Sequence, residues 1–181
     1  MLLSGYAAAM RSLISPRLLL REWEEKDAEF VLDMYSRWEV MRYLGAEPQV
    51  LTDLAGAHAR LAAWRDRQDG VHTVWAIQDR QTGRLLGTAF LVRLLNSGTP
   101  FTTADETEVG WHLHPDAWGQ GYATEAATAV LAYAARSGVK PVLAVTNPAN
   151  EASQAVCRRL GMRHVGSTDR YYNMTCELFS T

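Results

Sequence analysis

The chain has 181 residues, the length of one domain, and can bury a substantial core without disulfide or metal support. Its 18 basic and 20 acidic residues give a formal net charge of −2, so no global field favours a nucleic-acid partner. No apolar run approaches the ~20 residues of a membrane helix, and the first residues lack the basic leader and apolar core of a signal peptide. The cysteines, Cys157 and Cys176, form no Cys-x-x-Cys motif, which fits free thiols in a reducing compartment. We therefore expect a cytoplasmic protein with no nucleic-acid and no membrane partner.

Apolar spacing divides the chain into a short extension and a single domain. No clear hydrophobic period precedes Pro16, so we expect residues 1–15 to form an N-terminal extension with partial disorder, and residues 16–181 to form the domain. Strands are predicted at about residues 17–21, 73–78, 85–95, 106–113, 142–146, 163–167 and 173–179, and helices at about 28–35, 52–67, 123–137 and 151–160. The order β-α-α-β-β-β-α-β-α-β-β predicts an α/β domain.

Residues 106–127 combine a strand pattern, a glycine-rich turn and an alanine-rich helix pattern. Apolar residues alternate with polar residues and glycine before the turn, namely Val109, Trp111 and Leu113 with Glu108, Gly110 and His112. This period of two is typical of a strand with one face on the core, and a glycine within it leaves room for a ligand or backbone to approach. Gly119 and Gly121 then allow backbone conformations closed to other residues. Because the predicted helix follows at once, its free N–H groups indicate a site for an anion such as phosphate.

The same stretch resembles a known acyl-CoA motif. Leu-His-Pro-Asp followed by Trp-Gly-Gln-Gly-Tyr-Ala-Thr-Glu-Ala is similar to that motif in the GNAT (GCN5-related N-acetyltransferase) superfamily, in particular its ribosomal-protein N-acetyltransferase-like branch. Family members usually carry Gln or Arg where this chain has Trp118. A second stretch, from Asn150 to Met162, is similar to the superfamily's Asn-x-x-Ser…Leu-Gly-Phe/Met signature. The resemblance spans about residues 16–179 and implies a mixed, mostly antiparallel sheet flanked by helices.

The resemblance implies acetyl-CoA as co-substrate, and we expect no metal. The amides that would hold its pyrophosphate are those of Gln120, Gly121, Tyr122, Ala123 and Thr124. The backbone of Trp111, His112 and Leu113 would lie beside the acetyl and pantetheine portion, where a disrupted strand ladder frees an N–H for the thioester oxygen. Asn150 either caps the following helix only, or both caps it and contacts the CoA arm.

Acetyl transfer to an amine requires a base for the ammonium proton and a proton for the leaving sulfur. Glu108 is the candidate base or water-ordering group, and the alternative is a glutamate on a solvated or salt-bridged strand face. The resemblance puts Ser153 near the sulfur as proton donor, with Cys157 and water as alternatives. His112 and His114 form a His-x-His pair, a spacing that places both rings on one side of a strand and sometimes binds zinc. No third ligand is evident, so a role near the acceptor or an ordinary polar strand position competes with metal binding.

The predicted function is N-acetyl transfer from acetyl-CoA to a primary amine by direct attack. The acceptor is a protein N-terminal α-amine or a small-molecule amine, and a homodimer remains open. The alternative from another class is a non-catalytic acyl-CoA-binding sensor or scaffold.

Overall fold

One eight-stranded sheet forms the centre of the computed structural model, which describes residues 12–181. Its strands are β1 Leu13–Ile14, β2 Leu18–Glu22, β3 Thr73–Asp79, β4 Leu85–Asn96, β5 Thr102–Leu113, β6 Val142–Thr146, β7 Arg163–Thr168 and β8 Cys176–Ser180. Their order across the sheet is β1-β2-β3-β4-β5-β6-β8-β7, and every neighbouring pair is antiparallel except β5–β6. The predicted mixed, mostly antiparallel sheet flanked by helices is confirmed.

Five α-helices accompany the described sheet. They are α1 Ala28–Tyr35, α2 Trp38–Met41, α3 Leu54–Asp66, α4 Tyr122–Arg136 and α5 Glu151–Arg159. None of the helices within residues 12–181 is long and apolar enough to cross a membrane.

Strand β1 and helix α2 are absent from the predicted order because both are too short to show a period. Of the predicted extension, residues 1–11 lie outside the described residues. Leu13 and Ile14 pair with Leu20 and Leu19 of β2, and the Leu13 side chain is buried in the core. Leu13 and Ile14, which lie within the predicted extension, are therefore part of the sheet, and burial of Leu13 stabilises this short pairing.

The two faces of the sheet carry different helices. On one face, Val109 and Leu113 of β5 pack with Ala126 and Val130 of α4 in the main core cluster. On the other face, His112 contacts Tyr35 of α1, which belongs to a second cluster built from α1, α2 and α3. Because successive strand residues point to opposite faces, Glu108, Gly110 and His112 lie on the side of α1 and α3.

The sheet splits between β5 and β6. These parallel strands pair only at Thr107 with Val142 and at Glu108 with Leu143, although β5 continues to Leu113 and β6 to Thr146. Beyond Glu108 the two strands diverge, which leaves a gap in the middle of the sheet.

The β4–β5 pair is packed too closely for side chains at two glycines. A Cβ at Gly87 would lie 2.8 Å from the Cα of Leu113 and closer still to the carbonyl oxygen of His112. A Cβ at Gly110 would overlap the Phe90 ring. The space beside Gly110, where the sequence led us to expect a ligand or backbone, is filled by the Phe90 side chain from the neighbouring strand.

Replacing Gly87 should destabilise the fold because the opposing atoms are backbone and cannot rotate away. We expect Gly87→Ala to lower the free energy of unfolding by about 2–4 kcal/mol in a denaturant titration. The control is Gly56→Ala in α3, where the new Cβ would meet only the flexible side chains of Leu51 and Asp53 at 3.1 and 3.5 Å. An equal effect of the two substitutions would contradict the close backbone approach.

Candidate active site

A cleft of about 1080 Å³ passes through the gap between β5 and β6 and is lined by residues from both faces of the sheet. It brings together the following sequence-predicted site residues: Glu108, Trp111, His112, Leu113, Gly121, Tyr122, Ala123, Thr124, Asn150 and Ser153. Gln120 lies outside the lining, since its side chain donates to the Asp116 carbonyl at 2.9 Å. Its own carbonyl accepts from Arg17 Nη1 at 3.0 Å.

The glycine turn leads into an open helix N-terminus. Gly119 and Gly121 have φ values of +71° and +79°, in the left-handed region that favours glycine. Gly121 is the N-cap of α4 and supplies no side-chain hydrogen bond, so the first N–H groups of the helix remain available to an anion. Arg159 of α5 adds positive charge there, because it lines the cleft and its Nε lies 3.3 Å from Thr124 Oγ1. These features fit a bound phosphate group.

Two contacts hold the glycine turn in place. Trp118, at the position where the resemblance departs, donates from Nε1 to the Leu113 carbonyl at 2.9 Å. Arg17 forms an ion pair with Glu125 in the first turn of α4 at 2.7 Å. The turn is thus tied to β5 through Trp118 and to the N-terminal strands through Arg17.

Backbone donors of β5 face the gap. The N–H of His114 donates to the Leu86 carbonyl at 2.9 Å, and the register with β4 is regular from there back to Glu108. Donors alternate between the two edges of an antiparallel strand, so the N–H groups of Val109, Trp111 and Leu113 point away from β4. Since the β6 ladder ends at Glu108, these donors face the cleft.

Helix α5 forms the opposite wall of the gap. The Asn150 side chain accepts a hydrogen bond from the Ser153 N–H at 3.1 Å, which is the predicted capping contact. Ser153 is half-buried and lines the cleft. Cys157, the alternative proton donor, instead lies in the main core and is absent from the lining, and burial raises the pKa of its thiol to about 12.

Glu108 is buried on the α1 and α3 side of the cleft, with only 5% of its surface exposed. Burial raises the pKa of its carboxyl to about 7, although the hydrogen bond from Tyr172 and the charge of Arg67 act in the opposite direction. Burial excludes the solvated form of the alternative, whereas the charge of Arg67 keeps the salt-bridged form open. The hydroxyl of Tyr172 donates to Glu108 Oε2, a contact between residues 64 positions apart.

No signal in the sequence marked Tyr172 as a site residue. Its position depends on hydrogen bonds between the β4–β5 turn and the β7–β8 connection. Tyr172 and Asn173 both have left-handed backbone conformations, with φ of 60° and 54°. The Asn173 side chain accepts a hydrogen bond from the Gly98 N–H at 2.7 Å, and the backbone N–H of Asn173 donates to Ser97 Oγ at 3.0 Å. The Tyr172 N–H donates to the Leu95 carbonyl at 3.2 Å. These contacts hold the uncommon backbone and so place the Tyr172 hydroxyl on Glu108.

The two histidines of the His-x-His pair do not converge. His112 Nδ1 lies 2.9 Å from the Tyr35 hydroxyl, and burial together with the charge of Arg60 lowers the pKa of His112 to about 3, which keeps the ring neutral. His114 follows the end of β5 and has its Nε2 3.1 Å from Asp33 Oδ2. Within residues 12–181, no group of three or more His, Cys, Asp or Glu side chains is arranged to hold a metal ion.

Comparison with known proteins gives a consistent result. A family model described as "Acetyltransferase (GNAT) domain" matches residues 17–163. The uncharacterized N-acetyltransferase YoaA of Bacillus subtilis (strain 168) is 29% identical over 161 residues, which cover 88% of this chain and 86% of YoaA.

Solved structures show the same fold. An acetyltransferase (GNAT family) from Bacillus anthracis superimposes with a TM-score of 0.71 at 23% identity, covering 93% of this chain and 95% of that one. RimL, the ribosomal L7/L12 α-N-protein acetyltransferase, was solved with coenzyme A. It superimposes with a TM-score of 0.73 at 18% identity, covering 94% of this chain and 97% of RimL.

The raised pKa of Glu108 makes a prediction for stability. The fold favours the neutral carboxyl of Glu108. Its contribution to the free energy of unfolding is therefore complete below the ordinary glutamate pKa of 4.5 and is lost as pH rises through about 7. The difference in free energy of unfolding between Glu108→Gln and wild type should therefore shift in favour of the variant by about 3 kcal/mol from pH 4 to pH 8.

The check is denaturant unfolding of both proteins at the two pH values. Glu106→Gln is the control, because hydrogen bonds from its own backbone and Arg170 lower the pKa of Glu106. The stability difference between this variant and wild type should therefore shift in favour of wild type as pH rises. A Glu108→Gln difference that does not change with pH would contradict the buried, neutral carboxyl.

Proposed function

Because the chain belongs to the GNAT acetyltransferase domain family and is an acetyl-CoA-dependent acyltransferase, we propose that its acceptor is a primary amine that attacks the thioester directly. The observation that carries the proposal is the cleft itself. It joins an open helix N-terminus behind a glycine turn to a buried carboxyl whose pKa is about 7. The first feature suits a phosphate and the second suits a base that works near neutral pH.

We propose that acetyl-CoA enters from the side of α4 and α5. The amides at the start of α4, from Gly121 to Thr124, would hold the pyrophosphate, and Arg159 would add charge. Asn150, beyond its cap, would contact the CoA arm. The N–H of Trp111 faces the gap and would stabilise the negative charge that develops on the thioester oxygen.

The amine reaches the thioester from the side of α1 and α3. Glu108, as carboxylate, takes the proton of the ammonium directly or through water, and Tyr172 holds the carboxylate in place. The amine nitrogen then bonds to the acetyl carbon, the carbon–sulfur bond breaks, and Ser153 supplies a proton to the leaving thiolate. The acylated nitrogen loses its second proton, which returns through water to the Ser153 oxygen. No bond between acetyl group and protein is formed.

The acceptor is a protein N-terminal α-amine or a small-molecule amine. The loop sequence supports the ribosomal-protein N-acetyltransferase-like branch, and RimL, whose name gives the α-amine of L7/L12 as its acceptor, shares the fold. We place the protein in the cytoplasm, since Cys157 and Cys176 are free and buried.

A thiol-release assay with acetyl-CoA tests the proposal against the sensor or scaffold alternative. Primary amines and N-terminal peptides serve as acceptors, and mass spectrometry identifies the acetylated product. We expect release that depends on an acceptor, because a scaffold has no need of a buried carboxyl that titrates near pH 7. Binding of CoA without release for any acceptor would favour the scaffold.

The pH profile tests Glu108 as base. We expect kcat/KM to rise with pH through about 7, since the carboxylate is the active form, and Glu108→Gln to lower kcat by about 10²–10⁴-fold and remove this limb. Tyr172→Phe should move the limb to higher pH, because it removes a hydrogen bond that lowers the pKa of Glu108.

Acceptors of different basicity serve as the control for the profile. The limb near pH 7 should stay in place as the pKa of the acceptor amine changes. A limb that follows the acceptor and survives Glu108→Gln would exclude Glu108 as base.

The glycine turn is tested by cofactor affinity. We expect Gly121→Val to weaken acetyl-CoA binding by about tenfold or more, because the side chain blocks approach to the first N–H groups of α4. Gly138→Val is the matched control, since Gly138 follows the other end of α4 and has φ of +74° against +79° for Gly121. Equal affinities in the two valine variants would contradict the placement of the phosphate.

Ser153→Ala should lower kcat with little change in acetyl-CoA affinity.

A further inference from the structure

Arginine side chains from α3 enter the side of the cleft that faces Glu108. Arg60 lies within α3 and Arg67 follows its end, seven residues later, so both lie on one face of the helix. Both line the cleft. Arg42, from the segment after α2, lines it as well and stacks on Tyr43 at 4.6 Å.

Arg60 has an unusual environment. Its guanidinium lies over the Tyr35 ring at 4.2 Å from the centroid, and the neutral His112 is nearby. Within residues 12–181, no carboxylate lies within ion-pair distance of Arg60. By contrast, Arg65 on the outer face of α3 pairs with Glu25 at 3.4 Å. A half-buried guanidinium among neutral groups is a strong donor for a planar oxyanion, which it binds through two parallel hydrogen bonds.

The acids on this side do not satisfy Arg60. Glu108 interacts with Arg67 and Tyr172, and Cys176 is the other titratable group near it. Glu39 also lines the cleft but is exposed, where solvent screens its charge. The side of the cleft that faces the acceptor therefore carries three basic side chains, Arg42, Arg60 and Arg67, and two acidic ones, Glu39 and Glu108.

This positive charge does not belong to the phosphate site. The glycine turn and the start of α4 lie with the main core on the opposite face of the sheet, and Arg159 and Arg17 stand beside them. Arg60 reaches β5 through Tyr35 and His112, on the face that carries Glu108.

We propose that the acceptor is an amine that also carries a carboxylate or phosphate group, and that Arg60 binds this group while the amine lies at Glu108. The inference rests on the proposed amine acetylation. Arg67, nearer Glu108, balances the charge of the base. His112 lies four positions after Glu108 on β5, a backbone span of about 14 Å, so an extended small molecule or the first residues of a peptide can bridge the two points.

Matched acceptors test the inference. The ω-amino acids from β-alanine to 11-aminoundecanoate are compared with n-alkylamines of the same chain length, so that the series includes members long enough for the whole span, and phosphoethanolamine is compared with ethanolamine. The peptides Ser-Asp-Ala and Ser-Asn-Ala distinguish a protein source from a small molecule. We expect the anionic member of at least one pair to have a kcat/KM about tenfold or more above its neutral partner.

Variants of α3 assign the preference to Arg60. Arg60→Ala should reduce kcat/KM for the anionic acceptor by about tenfold or more and remove the preference, and Arg60→Lys should restore part of it. Arg65→Ala, on the same helix, should leave the preference unchanged. Thermal unfolding of each variant separates loss of binding from loss of the fold.

Calorimetric titration of the CoA-saturated protein keeps the inference independent of turnover. Tighter binding of the anionic members, lost in Arg60→Ala, supports the inference even if no acceptor is acetylated, a result that would overturn only the proposed function. Equal binding of anionic and neutral members, or a preference that survives Arg60→Ala, would overturn the inference while leaving acetyl transfer intact.

Discussion

The end of the β5–β6 ladder at Glu108 and Leu143 is the feature on which the site depends. Parallel strands that stayed paired would use the N–H groups of Val109 and Trp111 in the sheet and would close the path between its faces. Because the strands diverge, these donors face a cleft open to both sides. The open N-terminus of α4 meets it on one side and Glu108 on the other, so the two substrates of the proposed reaction approach from opposite faces.

Burial of Glu108 has a cost in stability that its proposed role explains. A carboxyl on a solvated strand face would titrate far below neutral pH and would be a weak base, whereas burial raises its pKa to about 7. The uncommon backbone at Tyr172 and Asn173 is held by Ser97 and Gly98 of the β4–β5 turn, which lie 76 and 75 residues before Asn173. That arrangement positions one hydroxyl on the carboxyl, and the same side of the cleft carries the arginine that we assign to the acceptor.

The sequence was informative where the signals are local. The glycines at 119 and 121, the cap at Asn150 and the strand periods follow from conformational limits within a few residues, and the structure has the glycine conformations and the cap as predicted. The predicted strands are present with shifted bounds, since β5 begins at Thr102 and β8 at Cys176. It was uninformative where a property arises from distant contacts. Tyr172 reaches Glu108 across 64 residues, Tyr35 reaches His112 across 77, and Phe90 fills the space beside Gly110 from a neighbouring strand. No spacing rule relates such pairs before the register of the sheet is known.

The central claim is that both substrates occupy this cleft together and that the amine attacks the thioester without an acetylated protein. Initial velocities measured over a grid of acetyl-CoA and acceptor concentrations test it most directly. The account predicts double-reciprocal lines that intersect, because a ternary complex precedes chemistry. Parallel lines, accompanied by an acetylated form of the protein when acceptor is omitted, would contradict it.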